Sequence, residues 1–171
     1  MIPLAGDGGR ITLITHNLLV RDGGEIDSST LAGGASGNII IDASRVDISG
    51  QSGGMTSQIE VTSAGSGSAG DVEISADTLL LRDGGEINVS GGLPNILFQA
   101  PDAGSAGTLL VDANTIRLDN GSLSGKTTSN LGGGNLVLNA NNIVLRSGST
   151  ISTEATGISR KSELNVAMEV S

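Results

Sequence analysis

The sequence predicts an all-β chain. It reads as a single-stranded, right-handed parallel β-helix of about five rungs, each built from three short strands. Three observations predict it. First, a glycine followed by an alternating apolar run recurs at Gly9-Arg10-Ile11-Thr12-Leu13, Gly37-Asn38-Ile39-Ile40-Ile41, Gly70-Asp71-Val72-Glu73-Ile74, Gly107-Thr108-Leu109-Leu110-Val111 and Gly134-Asn135-Leu136-Val137-Leu138. The step between units is 28, 33, 37 and then 27 residues, and a fixed internal register at such a step is the mark of a solenoid. Second, the apolar residues alternate with a period of two, which gives one buried and one wet face. Third, there are 27 Gly and a single aromatic, Phe98, among 171 residues. A helix would lose roughly 1 kcal/mol at each interior glycine.

The first strand of each unit follows its glycine. Its last apolar residue leads, five positions on, to the first apolar residue of the second strand: Leu13/Leu18, Ile41/Val46, Ile74/Leu79, Val111/Ile116 and Leu138/Ile143. Alternation then continues to Val20, Ile48, Leu81, Leu118 and Leu145. A third strand starts at Ile26, Ile87, Leu123 and Ile151, and in the second unit it resumes at Ile59 after an insertion from Ser49 to Ser57. Parallel pairing of each strand with its counterpart stacks the rungs ~4.8 Å apart, and parallel crossovers favour the right hand.

The corners are polar. Between strands one and two lie Thr15-His16-Asn17, Ser44-Arg45, Asp77-Thr78, Asn114-Thr115 and Asn141-Asn142, which stack into polar ladders. The second corner reads Arg21-Asp22-Gly23-Gly24-Glu25 and Arg82-Asp83-Gly84-Gly85-Glu86, where glycine supplies positive φ. The third corner varies in length and is the expected place for contacts with partners. Repeats cover residues 1–157, with rungs starting near 9, 37, 70, 107 and 134, and 158–171 leave the register. No cap is legible, so the end rungs read as open edges available for end-to-end self-association.

The stretch Gly134-Asn135-Leu136-Val137-Leu138-Asn139-Ala140-Asn141-Asn142-Ile143-Val144-Leu145-Arg146-Ser147-Gly148-Ser149 resembles repeats of filamentous-haemagglutinin-type exoproteins, as does Asp71 to Ser90 with its Leu-Leu-Leu-Arg-Asp-Gly-Gly-Glu-Ile run. It is similar in flavour to the large cyanobacterial haemagglutinin-like or S-layer-type surface proteins. The resemblance covers about residues 8–157. It implies two-partner secretion through an outer-membrane transporter, a β-helical fibre, an extracellular or cell-surface location, and adhesion to glycans or proteins of a host or neighbouring cell. The chain itself shows no export signal at Met1-Ile2-Pro3-Leu4-Ala5-Gly6-Asp7, so it reads as a piece of a longer fibre or a truncated remnant.

Composition narrows the chemistry. There is no Cys, which excludes a disulfide framework and thiolate zinc sites. A net charge of −9 with one aromatic argues against a nucleic-acid partner. Gly65-Ser66-Gly67-Ser68-Ala69-Gly70 matches a dinucleotide fingerprint but leads into a strand rather than a helix. Gly121 to Thr127 mimics a phosphate loop with one residue too few and no helix after it. No cofactor is expected. Asp22, Glu25 and Asp27, or Asp83 and Glu86, could offer oxygen ligands to calcium. The acids do not stack in adjacent rungs, however, and read as solvated corner charge partnered by Arg21 and Arg82. No metal site is therefore assigned.

Parallel β-helices also host polysaccharide-active enzymes, which need two carboxyl groups facing one cleft. Asp42, Asp47, Asp112 and Asp119 are scattered over outward or corner positions, and His16 is a lone corner residue. The chain is thus expected to be non-catalytic, with a polysaccharide-binding or polysaccharide-degrading β-helix as the alternative. The long insertion from Gly91 to Asp102 supplies one candidate contact site, Leu93, Ile96, Leu97 and Phe98. These apolar residues read either as an exposed contact loop or as a satellite core folded back on the rod.

Overall fold

A computed structural model describes residues 6–31, 33–92, 104–128, 133–155 and 163–167. Every described element is a strand or a turn, and the strands form a parallel β-solenoid of about five rungs. Five long strands, β1 (Ile11–Arg21), β3 (Ile39–Ser49), β7 (Val72–Arg82), β9 (Thr108–Asp119) and β11 (Asn135–Arg146), form one parallel sheet. A sixth strand, β13 (Glu163–Ala167), pairs with β11 so that Leu136 faces Leu164 and Leu138 faces Val166. The second parallel sheet has the order β12 (Thr150–Ala155), β10 (Ser122–Thr127), β8 (Glu86–Gly91), β6 (Gln58–Ser63), β2 (Glu25–Asp27). The insertion in the second rung is a small antiparallel hairpin, β4 (Gln51–Ser52) and β5 (Met55–Thr56). The buried Ser57 hydroxyl donates to the Ser49 carbonyl at 2.8 Å and accepts from the Gly23 amide at 3.0 Å. That clamp lets the hairpin bulge outward while Gln58 still pairs with Glu25 in register.

One expectation is modified. The first and second strands of each rung are one continuous strand bent at a single residue. The ladder skips only His16, Ser44, Asp77, Asn114 and Asn141, one position per rung. A small polar residue turns the chain there without breaking extended backbone, so no loop is needed. The polar corner ladder forms: the Asn141 side-chain amide donates to the Asn114 side-chain oxygen at 2.8 Å.

The core is a stack of aliphatic side chains between the two sheets. Ile39, Ile41, Val46 and Ile48 continue through Val72, Ile74, Leu79 and Leu81 to Leu109, Val111, Ile116 and Leu118, all essentially inaccessible. Ile59, Ile87 and Leu123 close it from the second sheet. Aliphatic residues suffice because each rung packs on the like residues of its neighbours.

The repeating glycine has a steric cause. The unit-leading glycines stack so closely that a Cβ on Gly37, Gly70 or Gly107 would run into the carbonyl oxygen of the glycine one rung below. Gly9 has open space at the same position.

The second corner has a shared left-handed residue: Asp22 (φ 55), Gly50 (φ 82), Asp83 (φ 54), Asn120 (φ 56) and Ser147 (φ 53). Asp and Asn tolerate this region best among side-chain-bearing residues. Serine is the least suited of the set. Ser147→Gly is expected to raise stability by roughly 0.5–1 kcal/mol in urea denaturation. A loss would mean that the 2.6 Å hydrogen bond from Ser147 to Asp119 matters more than the backbone strain.

Candidate functional site

The bend divides the outward surface into three strand faces, and the charges are sorted among them. The first half of each long strand presents Asp42, Glu73 and Asp112. The second sheet presents Glu25, Asp27, Glu60, Glu86 and Glu154 with a single cation, Lys126. The second half of the long strands is opposite in sign. Arg21, Arg45, Arg82, Arg117 and Arg146 lie there, one from each long strand of the five rungs and five of the nine basic residues of the chain. Asp47 and Asp119 are the carboxylates on that strand face, with Asp22 and Asp83 at the adjoining corner.

Asp47 organises the face. It lies at an outward position between Leu19 and Leu80 of the neighbouring rungs, yet it is only 1% exposed. Three guanidinium groups close over it. Arg21 and Arg45 each reach its Oδ2 at 3.2 Å, and the Nε of Arg82 lies 3.3 Å from its Oδ1. Arg82 also bonds Asp83 at 3.0 Å. Burial pushes the Asp47 carboxyl up, but hydrogen bonds from Arg45 and Arg82, the charge of Arg82 and the bond from Arg21 outweigh it and hold the group below its ordinary value. It therefore stays ionised, and three cations share one anion.

The same arrangement continues along the rod. Arg117 pairs with Asp119 at 3.5 Å, and Asp119 accepts from Ser147 at 2.6 Å. Its carboxyl is held down first by the Ser147 hydrogen bond and then, against partial desolvation, by Arg117 and Arg146. Between the two clusters runs a shallow groove of about 410 Å³ lined by Arg45, Thr78, Leu80, Arg82, Thr115, Arg117 and the Asp119 carboxylate that Arg117 pairs with. Its lining sets three guanidinium groups beside Leu80, two threonines and one carboxylate already paired with Arg117. The second sheet's trough, about 360 Å³, is lined by Glu86, Asn88, Ser124, Lys126 and Glu154 among others, and Asn88 and Ser124 are bonded across rungs. Asn88 donates to Glu60 at 3.1 Å, and Ser124 donates to Asn88 at 3.0 Å.

The sequence-derived candidates fare differently. The contact-loop residues Leu93, Ile96, Leu97 and Phe98 lie outside the described residues. Arg82 does partner its corner acid Asp83, but Arg21 turns instead to Asp47. Asp47, read from alternation as one of several scattered outward acids, is buried. Alternation assigns a side chain to a face of its own strand and cannot register arginines folding over it from the rungs above and below. The legible signal was an Arg-x-Asp pair at 45/47 flanked, in register, by Arg21 and Arg82. Asp42 and Asp112 share one column two rungs apart, and Asp112 is held by Asn139 at 2.8 Å. Among the described residues no three His, Asp or Glu side chains gather around a common cation position.

These features place the chain among parallel β-solenoid proteins. No family model matches it, and no match was found among curated proteins or solved structures.

Proposed function

We propose that the chain is a structural and adhesive segment of a secreted or cell-surface fibre of the filamentous-haemagglutinin kind, acting without catalysis. The observation that carries this reading is the in-register stack of outward faces, in which like positions repeat along the rod at one strand spacing and charge is segregated by face. A rigid array of this kind converts weak contacts into firm attachment through multivalency. The resemblance of residues 8–157 to exoprotein repeats agrees with it, as do the ion pairs that hold Asp47, Asp83 and Asp119.

The test compares the protein displayed at high density on beads with the same protein free in solution. Beads are expected to be retained on cell surfaces roughly 100-fold better than the monomer, as avidity requires. Retention no better than that of bare beads would reject adhesion. Release of reducing ends from any polysaccharide in a screen would favour the enzymatic alternative.

A further inference from the structure

On the arginine face one pair of positions recurs at every second rung. In the first, third and fifth rungs the outward residues are Leu19 and Arg21, Leu80 and Arg82, and Val144 and Arg146, an aliphatic residue and an arginine two positions apart each time. In the second and fourth rungs the same two columns hold Asp47 and Ser49, and Arg117 and Asp119, while Arg45 lies in the next column, in line with Thr78 and Thr115. At ~4.8 Å per rung the aliphatic–arginine pair returns every ~9.6 Å along the rod, the scale of a two-sugar unit.

We propose that this face docks a linear anionic polysaccharide bearing one acid group on every second sugar. The apolar faces of alternate rings lie on Leu19, Leu80 and Val144, and the acid groups pair with Arg21, Arg82 and Arg146. The inference rests on the adhesive reading above and names the chemistry of its partner.

Three physical points support it. A guanidinium has five donors in a planar fork. Around Asp47, three of them share a single carboxylate, so donors remain for a second anion. The buried carboxylate also holds these side chains in place before any ligand arrives, which lowers the ordering cost of binding. Finally, the aliphatic residues are available: Leu19 is 52% exposed, and Leu80 lines the groove beside Arg82. With no aromatic platform in the described residues each sugar contact is weak, so charge and repetition must supply the affinity. The overall charge of −9 does not oppose this, because this face sets five arginines against Asp47 and Asp119, both ion-paired, and exposed charges farther than ~8–10 Å are screened at physiological salt.

The test measures binding of the whole chain by affinity electrophoresis. The probes are hyaluronan (one uronate per two sugars), polygalacturonate (one per sugar), neutral dextran and single-stranded DNA. Hyaluronan is expected to bind most tightly and to weaken about tenfold between 50 and 200 mM salt, since exposed ion pairs are screened. The variant R117A/R146A leaves the Asp47 cluster intact, removes the pairing Arg146 and the cation lying in register between Leu80 and Val144, and is expected to weaken hyaluronan binding at least ~fivefold, at the scale of the exposed charge removed. K126A, on the acidic face, is expected to bind like the unaltered protein. Equal binding of dextran, tighter binding of polygalacturonate or DNA, or equal losses in K126A and R117A/R146A would each overturn the proposal. So would salt-sensitive self-association that needs no polymer, which would assign the face to a second copy of the chain. If beads still adhere to cells while hyaluronan does not bind, the adhesive reading stands and this partner is rejected.

Discussion

Gly107→Ala is expected to destabilise the protein by about 3 kcal/mol, while Gly9→Ala changes stability by less than ~0.5 kcal/mol. Both glycines lead a repeat and look alike in the sequence. At Gly107 the added methyl would run into the carbonyl oxygen of Gly70, with the Gly70 carbonyl carbon at 2.8 Å and the Ala69 oxygen at 3.2 Å. All three are backbone atoms of the adjacent rung, so no side chain can swing aside. Relief requires the rungs to separate, which lengthens the ladder hydrogen bonds on both sides of the corner. Overpacking costs ~1–3 kcal/mol in general, and an immovable backbone places this case at the upper end. Gly9 has nothing within 4 Å at its Cβ position. Urea denaturation of the two variants measures the difference. Equal midpoints would show that the stacking of glycine carbonyls does not constrain the rod.

Asp47→Asn and Asp47→Leu are each expected to cost about 2 kcal/mol at pH 7. An amide in place of the carboxylate leaves three guanidinium groups around a neutral, buried group, and their mutual repulsion is no longer offset. Removing one partner of a fully buried ion pair costs ~3–5 kcal/mol. The arginine side chains here are 36–45% exposed, so they can turn toward water and reduce that cost. Leucine continues the column of Leu19 and Leu80 and needs no hydrogen-bond partner, but it leaves the same three cations without their anion, so its cost is of the same order. The effect of the Asn variant depends on pH with a definite sign. The folded-state carboxyl is held below its ordinary value. Its contribution is therefore complete above the unfolded value near ~3.9 and is lost as pH falls through the folded value. The gap between the unaltered protein and Asp47→Asn should be full at pH 7 and 5 and should narrow below about pH 4. A gap of the same size at pH 3 would show that shape rather than charge is what Asp47 supplies.

Much of the fold is legible because a solenoid repeats its own local rules. The pairs Leu13/Leu18 through Leu138/Ile143 are read in sequence and occupy like positions in successive rungs of the long-strand sheet. The hairpin from Gln51 to Thr56 was legible as an insertion, since alternation stopped at Ser49 and resumed at Ile59. The continuity of the long strands was not, because Ser44 or Asn114 looks the same whether it sits in a loop or at a bend in extended chain. The pairing of Glu163–Ala167 with β11 was also hidden: Leu136 to Leu164 and Leu138 to Val166 keep a 28-residue step, but Ser162 stands where the earlier units have their leading glycine.

The candidate face divides in the same manner. Sequence alone determined that the chain is a stack of short alternating strands with an aliphatic core and polar corners, because period and repeat are properties of the strand itself. Only the tertiary structure decided that five arginines, dispersed among 171 residues of an acidic chain, share one face, and that Asp47 is buried beneath three of them. The reason is that parallel register brings residues 26 and 35 positions from Asp47 into contact with it. Charge sorting is a sum over rungs, and it exists only once the rungs are stacked.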